Sequence, residues 1–391
     1  MKKNDGKVSV KLVFLLTILM AIVCTWHVQE ASAGLDPAPN LQGFGQKIFR
    51  VESGLYPFVQ IYIRTFNQNM DPLINLNIAN IGLMVKGQVY DPAKRQYNIQ
   101  SIRSREEAIR SILVIDTSKS MQGAPFDAAL RAAARFIDAK RFQDQVAVIA
   151  LDDNIKGYTL VSNFERDPGA LGRRIADITA SGKKTRLYDG IAAALKLAAG
   201  VGAGGTTTTD AQYVASTSIV VFSDGKDEGS AITRQDLMNR ISNLKIPVPI
   251  YSLAFTKIEP KYLKNLQAIS KNSFGKYFHI GKAYNQMTRT VEDIQNILQS
   301  DYVIMFRAYL PVDGEKHIVK IGVEYPSGSG KMRYESGEFE AISPPNFPKI
   351  LDMQQRLNEI FPPLPDANPY MTNPYAPVAP IKVQQVAPPV K

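Results

Sequence analysis

The sequence predicts an α/β fold: a doubly wound, mostly parallel sheet, inserted in or flanked by a small β-sandwich and followed by a Pro-rich tail. Three observations lead there. Between residues 109 and 300, short apolar runs alternate with helical stretches, the pattern of parallel strands joined by covering helices. On both sides, at 34–108 and 301–342, apolar and polar residues alternate with a period near two, as in half-buried antiparallel strands. From residue 343 to the end the chain carries half of its 24 prolines.

Residues 58–64 (FVQIYIR) read as a strand, NQNMDP at 67–72 as a turn, and 76–85 and 97–102 as further strands. The central region then reads strand 112–115, helix 126–137, strand 146–151, and helices 168–178 and 187–199. It continues with strand 218–222, helix 233–244, strand 248–255, helix 260–270, strand 276–279 and helix 284–298. Pro260 suits a first helical turn. Strands return at 302–309, 316–325 and 333–341. Each β flank alone is too small for a good core, so one sandwich made from both, with the α/β unit between them, is the simplest packing; two separate small modules are the alternative. In the tail, 349–360 is a short helical candidate and the rest reads as a flexible extended segment. GAGGTTTTD at 202–210 reads as a flexible loop leading into a strand, on the sheet edge away from any site.

Residues 1–33 resemble an export signal. Lys2, Lys3, Lys7 and Lys11 precede an apolar run of 13 residues, and Ala31-Ser32-Ala33 offers a cleavage point before Gly34, with an uncleaved anchor as the alternative. Removal takes away four lysines and two acids and lowers the formal charge from +10 to +8. The only cysteine, Cys24, lies inside this segment, so the mature chain has no disulfide and no Cys-based zinc site. Three histidines, His27, His279 and His317, are scattered and leave little material for a His cluster. The expected location is the periplasm, the cell surface or the medium, with membrane contact only through an uncleaved signal. The positive charge comes without an aromatic-basic stripe or nucleic-acid motif, so nucleic acid is not an expected partner.

The buried strand SILVI ends at Asp116, and Ser118 and Ser120 follow at every second position. In an open α/β sheet, ligands sit beyond the carboxyl ends of the strands near the switch in strand order. Two more segments should converge there: KTRLYDG at 184–190, ahead of a helix, and VFSDG at 221–225, ending another apolar strand. The combined set is two carboxylates and three hydroxyls, hard oxygens that suit Mg²⁺, Mn²⁺ or Ca²⁺ rather than zinc or copper. Taken singly, Asp116 could be a cap or a catalytic carboxylate, and the serines could be caps.

These residues resemble the von Willebrand factor type A (VWA) family. Its metal-ion-dependent adhesion site (MIDAS) is written Asp-x-Ser-x-Ser, a distant Thr and a distant Asp-Gly. Asp116, Ser118, Ser120, Thr185 and Asp224 match it in order, over a region of residues 109–300. The pattern FVQIYIRTFNQNMDPL followed by GLMVKGQ also resembles the β module that precedes this domain in many secreted bacterial members. The resemblance implies a Rossmann-like sheet. It implies that Ser118 and Ser120 ligate the cation directly, Thr185 directly or through water, and Asp116 and Asp224 largely through water. One position is left for a carboxylate of a protein partner. It also implies that helix 284–298 carries any response to ligand into the flanking β material.

The chain departs from the family around the Thr, where Gly182-Lys183-Lys184 stands in place of small residues. Lys119, Lys183, Lys184, Arg186 and Lys226 are therefore expected to ring the ion and to favour a strongly acidic partner, partly offset by Asp227 and Glu228. Asp189 reads as a helix-start residue, and His279 and His317 as structural. The expected function is metal-dependent binding of a protein ligand. A structural subunit with a purely stabilising metal and a metal-dependent hydrolase are the alternatives. No His, Glu or Cys in the motif loops supplies a general base, and no phosphate-binding Gly-rich loop is present, so an enzyme is not expected.

Overall fold

A computed structural model describes residues 43–200, 214–255 and 260–363. The export signal expected at 1–33, the loop at 202–210 and the tail beyond 363 lie outside the described residues.

The chain enters as an antiparallel pair, β1 (Phe44–Leu55) and β2 (Phe58–Asn67). Three shorter strands follow: β3 (Ile81–Val85), β4 (Gln88–Val89) and β5 (Tyr97–Ser101). The chain then leaves for the α/β region and returns as β12 (Tyr302–Arg307), β13 (Lys316–Glu324) and β14 (Met332–Glu340). The returning strands complete the sheets begun by the first five. One sheet runs β1-β2-β12-β5 and the other β14-β13-β3-β4. Tyr302 pairs with Ile63 on one side and with Ser101 on the other. Between the sheets lies a shared core that includes Tyr56, Ile61, Ile63, Leu83, Phe306, Ile321 and Phe339. Neither flank could bury these residues without the other.

The α/β region supplies a six-stranded sheet in the order β11-β10-β9-β6-β7-β8. Its strands are β6 (Ala108–Asp116), β7 (Gln145–Leu151), β8 (Tyr158–Glu165), β9 (Val214–Ser223), β10 (Ile250–Phe255) and β11 (Tyr277–Gly281). All neighbours are parallel except β8, which runs antiparallel along β7. Every residue of β6 is buried, as a strand covered on both faces requires. Leu113 and Ile115 join the core beneath α1 (Ala124–Asp138), α2 (Pro168–Ala176) and α6 (Met287–Leu298). Ile112 and Val114 point into the opposite core, under α3 (Leu187–Ala199), α4 (Arg234–Ser242) and α5 (Pro260–Asn272). The expected mostly parallel sheet with helices on both faces, accompanied by antiparallel sheets, is the observed fold.

Besides the two-residue β4, two longer strands escape a periodicity reading. β1 (FGQKIFRVESGL) carries register shifts at Ile48/Arg50 and Glu52/Leu55, which break its alternation. β8 lies on the sheet edge, exposes Leu160 and is bulged against β7, so it has little hydrophobic signature.

The segment expected to be a flexible tail from residue 343 is docked as far as residue 363. Helix α7 (Pro348–Ile360) buries Ile350, and the next residue, Phe361, is 1% exposed with its ring 6.3 Å from that of Phe58. Polar contacts lock the segment down. Gln354 donates to the Tyr56 carbonyl at 2.5 Å, Arg307 to the Phe361 carbonyl at 3.2 Å, and the Tyr309 hydroxyl to the Pro362 carbonyl at 3.1 Å. Proline content favours extended backbone but does not prevent an apolar residue from finding a pocket.

One buried ion pair ties the sandwich to the α/β region. Arg64, on β2, donates through Nε and Nη2 to both oxygens of Asp301 at 2.7 and 2.6 Å, and through Nη1 to the Tyr251 hydroxyl of β10 at 2.6 Å. Asp301 follows α6 and precedes β12, so the pair fixes the point where the chain re-enters the sandwich. Both side chains are almost wholly buried. Arg64→Ala should strand a buried carboxylate and destabilise the fold by about 3–5 kcal/mol. Equilibrium urea unfolding checks this; a loss below about 1 kcal/mol would show that the pair does not hold the two regions together.

Candidate functional site

The switch in strand order falls at β6, which has β7 on one side and β9 on the other. The carboxyl ends of β6 and β9 therefore emerge side by side, with Ile115 paired to Phe222. The residues that follow these two strands begin the site.

Asp116 closes β6 and is fully buried. Its Oδ1 accepts from the Ser118 amide at 2.9 Å and its Oδ2 from the Ser223 hydroxyl at 2.7 Å. Burial, and then the charge of nearby Asp224, push the Asp116 carboxyl up to about 6 against the pull of the Ser118 and Ser223 hydrogen bonds. The turn that follows is a short 3₁₀ segment, Lys119–Met121, anchored by buried Met121. It holds the Ser118 and Ser120 hydroxyls 3.0 Å apart and leaves Lys119 exposed.

Asp224 directly follows β9 and is 1% exposed. Its Oδ1 accepts from the Lys226 amide at 3.0 Å, whereas its Oδ2 is buried without a hydrogen-bond partner. The next residue must be glycine. Gly225 has φ +82°, and a Cβ there would lie 2.6 Å from the Tyr262 carbonyl oxygen. The Gly225 amide donates to the Ser223 hydroxyl at 3.0 Å, so Ser223 holds both the Asp116 carboxylate and the turn carrying Asp224.

Thr185 is fully buried just ahead of α3, and its Oγ1 also lacks a partner. Contacts between each pair of loops close the site. The Gly182 amide donates to the Thr117 carbonyl at 3.1 Å, and Ser118 and Gly182 form an isolated parallel bridge. The Glu228 amide donates to the Thr185 carbonyl at 2.5 Å. Ser223 bonds Asp116 across the third side. The five side chains expected to meet therefore sit on three loops that touch pairwise at one sheet edge.

Of the five cations expected around the ion, two are paired with acidic neighbours. Arg186 is engaged with Asp189 at 2.8 Å and donates to the Ile155 carbonyl at 2.7 Å. Lys226 is paired with Glu228. Lys119, Lys183 and Lys184 are exposed. The offset expected from Asp227 and Glu228 is divided: Glu228 neutralises Lys226, while Asp227 accepts from the Ser230 hydroxyl and the Tyr188 amide. Asp189 also accepts from the Ala231 amide at 2.8 Å, a structural role at the start of α3. His317 is buried and bonded to Asp313 at 3.0 Å, and His279 is exposed; neither belongs to the site.

Two residues of the site escape the motif reading. Ser223 stands beside Asp224 in FSDG and is found only once β6 and β9 are known to be adjacent. Asp153, in LDDN after β7, accepts from the Lys183 and Lys184 amides at 2.5 and 2.9 Å. Its signal is its place just beyond the carboxyl end of a strand next to β6.

The residues present fit a hard divalent cation. Buried oxygens without partners are uncommon in folded proteins, and two occur here, on Thr185 and Asp224, beside a second buried carboxylate. The donors are hydroxyl and carboxylate oxygens throughout. Among the described residues no three His, Cys, Asp or Glu side chains group to hold a metal, so any cation here depends on the hydroxyls.

Residues 111–226 match the family model of the von Willebrand factor type A domain. Among solved structures, one described as von Willebrand factor type A from Catenulispora acidiphila is 14% identical, covers 81% of this chain and 76% of its own, and has a TM-score of 0.41. The SpRpn10 VWA domain is 14% identical, covers 47% of this chain and 94% of its own, with a TM-score of 0.36. No curated protein matches the sequence.

Metal-free protein should respond to pH through Asp116. Its folded value, about 6, exceeds the ordinary 3.8, so the stabilising protonation is complete below about pH 4 and lost as pH rises through about 6. In EDTA, the unfolding temperature of the wild type should fall between about pH 4 and 6.5 relative to that of Asp116→Asn. Parallel curves for the two proteins would contradict the shifted carboxyl.

Proposed function

We propose that the region matching the VWA family model, residues 111–226, binds a protein partner through a MIDAS cation, in keeping with a family that often mediates protein–protein contacts and binds metal. Asp116, Ser118, Ser120, Thr185 and Asp224 would hold the ion, Mg²⁺ in the first instance, with Mn²⁺ or Ca²⁺ able to replace it. The observation that carries the reading is the pair of buried, unpartnered oxygens, Thr185 Oγ1 and Asp224 Oδ2, at the meeting of three loops. A cation supplies what both lack. When bound, it offers a site for a carboxylate from outside, because ligands that are largely neutral hydroxyls leave much of its charge unneutralised.

The partner in this reading presents an Asp or Glu. Lys119, Lys183 and Lys184 at the rim favour an acidic patch around that residue. In this reading the role is binding rather than catalysis: the motif loops offer hydroxyls and carboxylates that would be taken up by the ion, and no His or Cys. Export to the envelope or medium belongs to the same proposal and is supported by the signal-like pattern of residues 1–33. Among the described residues no helix is long and apolar enough to cross a membrane.

The test pairs metal response with capture. Mg²⁺ should raise the unfolding temperature of the wild type in a thermal-shift assay and leave Asp116→Ala unmoved. Immobilised wild type in Mg²⁺ should retain envelope proteins that EDTA releases and that Asp116→Ala does not retain. Stabilisation without capture would leave a structural metal instead of adhesion, and absence of any Mg²⁺ shift in the wild type would remove the site itself.

A further inference from the structure

The turn between β7 and β8, residues 152–157, has no part in the five-residue motif, yet it touches the Thr185 loop on both sides of Thr185. Upstream, the two oxygens of Asp153 accept separately from the amides of Lys183 and Lys184, the two residues immediately before Thr185. Downstream, the Ile155 carbonyl accepts from Arg186, the residue immediately after it, at 2.7 Å. Gly157 has φ +79°, and a Cβ there would fall 2.5 Å from the Arg186 side chain, so the turn packs directly on that residue. The Thr185 carbonyl is held from a third direction by the Glu228 amide.

The turn is braced internally. The Asn154 side chain accepts from the Lys156 and Gly157 amides at 2.8 and 2.9 Å and donates to the Tyr158 carbonyl at 2.8 Å. Asp152 accepts from the Asn154 amide at 3.0 Å and from the Thr159 hydroxyl. A carboxylate presented from so cross-linked a turn is a fixed point, whereas Lys183 and Lys184 have exposed side chains and lie beyond the bridge that ties Gly182 to Ser118. The two amides also hold the Asp153 carboxyl below its ordinary range, so it stays ionised and accepting.

We propose that the β7–β8 turn is a clamp that sets the position of Thr185 in the metal site, with Asp153 as its positioning residue. The inference rests on the proposed MIDAS reading and adds a part that touches neither the cation nor the partner. Asp153 acts by geometry: it fixes two backbone amides and, through them, the direction of the Thr185 hydroxyl.

Mn²⁺ binding, followed by electron paramagnetic resonance on the full chain, tests it. Asp153→Ala should weaken Mn²⁺ about tenfold, the scale seen when a residue that orients a metal ligand is removed. The weakening should persist at 0.5 M NaCl. A carboxylate acting only through its charge at this exposed position would lose its effect there by screening. In the metal-free protein, hydrogen exchange at the Lys183 and Lys184 amides should speed up in Asp153→Ala while the urea midpoint stays near that of the wild type. Thr185→Ala separates the two levels of the account. If it weakens Mn²⁺ and Asp153→Ala does not, or if the Asp153→Ala effect vanishes in salt, the clamp is overturned and the metal site stands. If neither substitution changes Mn²⁺ affinity, the metal reading itself falls.

Discussion

Two carboxylates buried side by side are the constraint around which this molecule is organised. Asp116 and Asp224 leave the ends of adjacent parallel strands in the middle of a sheet, where helices on both faces exclude water. Like charges in such a place repel, and each has lost its hydration. The protein answers only in part. Asp116 receives one hydrogen bond at each oxygen, but Asp224 receives its bond at Oδ1 alone, and the hydroxyl of Thr185 is buried with nothing to bond. An arrangement so incompletely satisfied is one that a bound cation would complete. The hydroxyls around it, which add oxygen ligands without adding charge, favour the cation.

The rest of the fold keeps that arrangement rigid. The α/β region is inserted between β5 and β12, so both of its ends are tied into one sheet of the sandwich. Arg64 and Asp301 secure the return point, and α7 closes over the sandwich through Phe361. Nothing in these contacts touches the site directly. Their effect is to give the sheet a stiff base, so that its loops are placed by strands and not by their own short sequences.

Much of this was legible in the sequence, for physical reasons that differ from residue to residue. The strand before Asp116 is apolar at nearly every position because it is covered on both faces, and that run is unmistakable in one dimension. The alternation of such runs with helical stretches carries the parallel sheet, and the residues following two of them carry the motif. What was hidden is what depends on neighbours distant in sequence. β1 is bulged and β8 is an exposed edge, so neither keeps a clean period. Phe361 sits among prolines that suggest an extended tail, and its burial depends on a pocket beside Phe58 about 300 residues earlier in the chain. Arg186 looked like a free cation because its partner Asp189 was read as a helix-start residue, and Lys226 because Glu228 was read as offsetting the ring in general and not as its own partner. Ser223 and Asp153 acquire meaning only when strand order is known, since both act across to a neighbouring loop.

The central claim is that five oxygen-bearing side chains from three loops enclose one hard cation. Anomalous scattering from crystals soaked in Mn²⁺ addresses it most directly. The account predicts a single strong peak within coordination distance of the Ser118 and Ser120 hydroxyls, bordered by Thr185, Asp116 and Asp224. A map with no peak there, or with its strongest peak elsewhere on the chain, would contradict it.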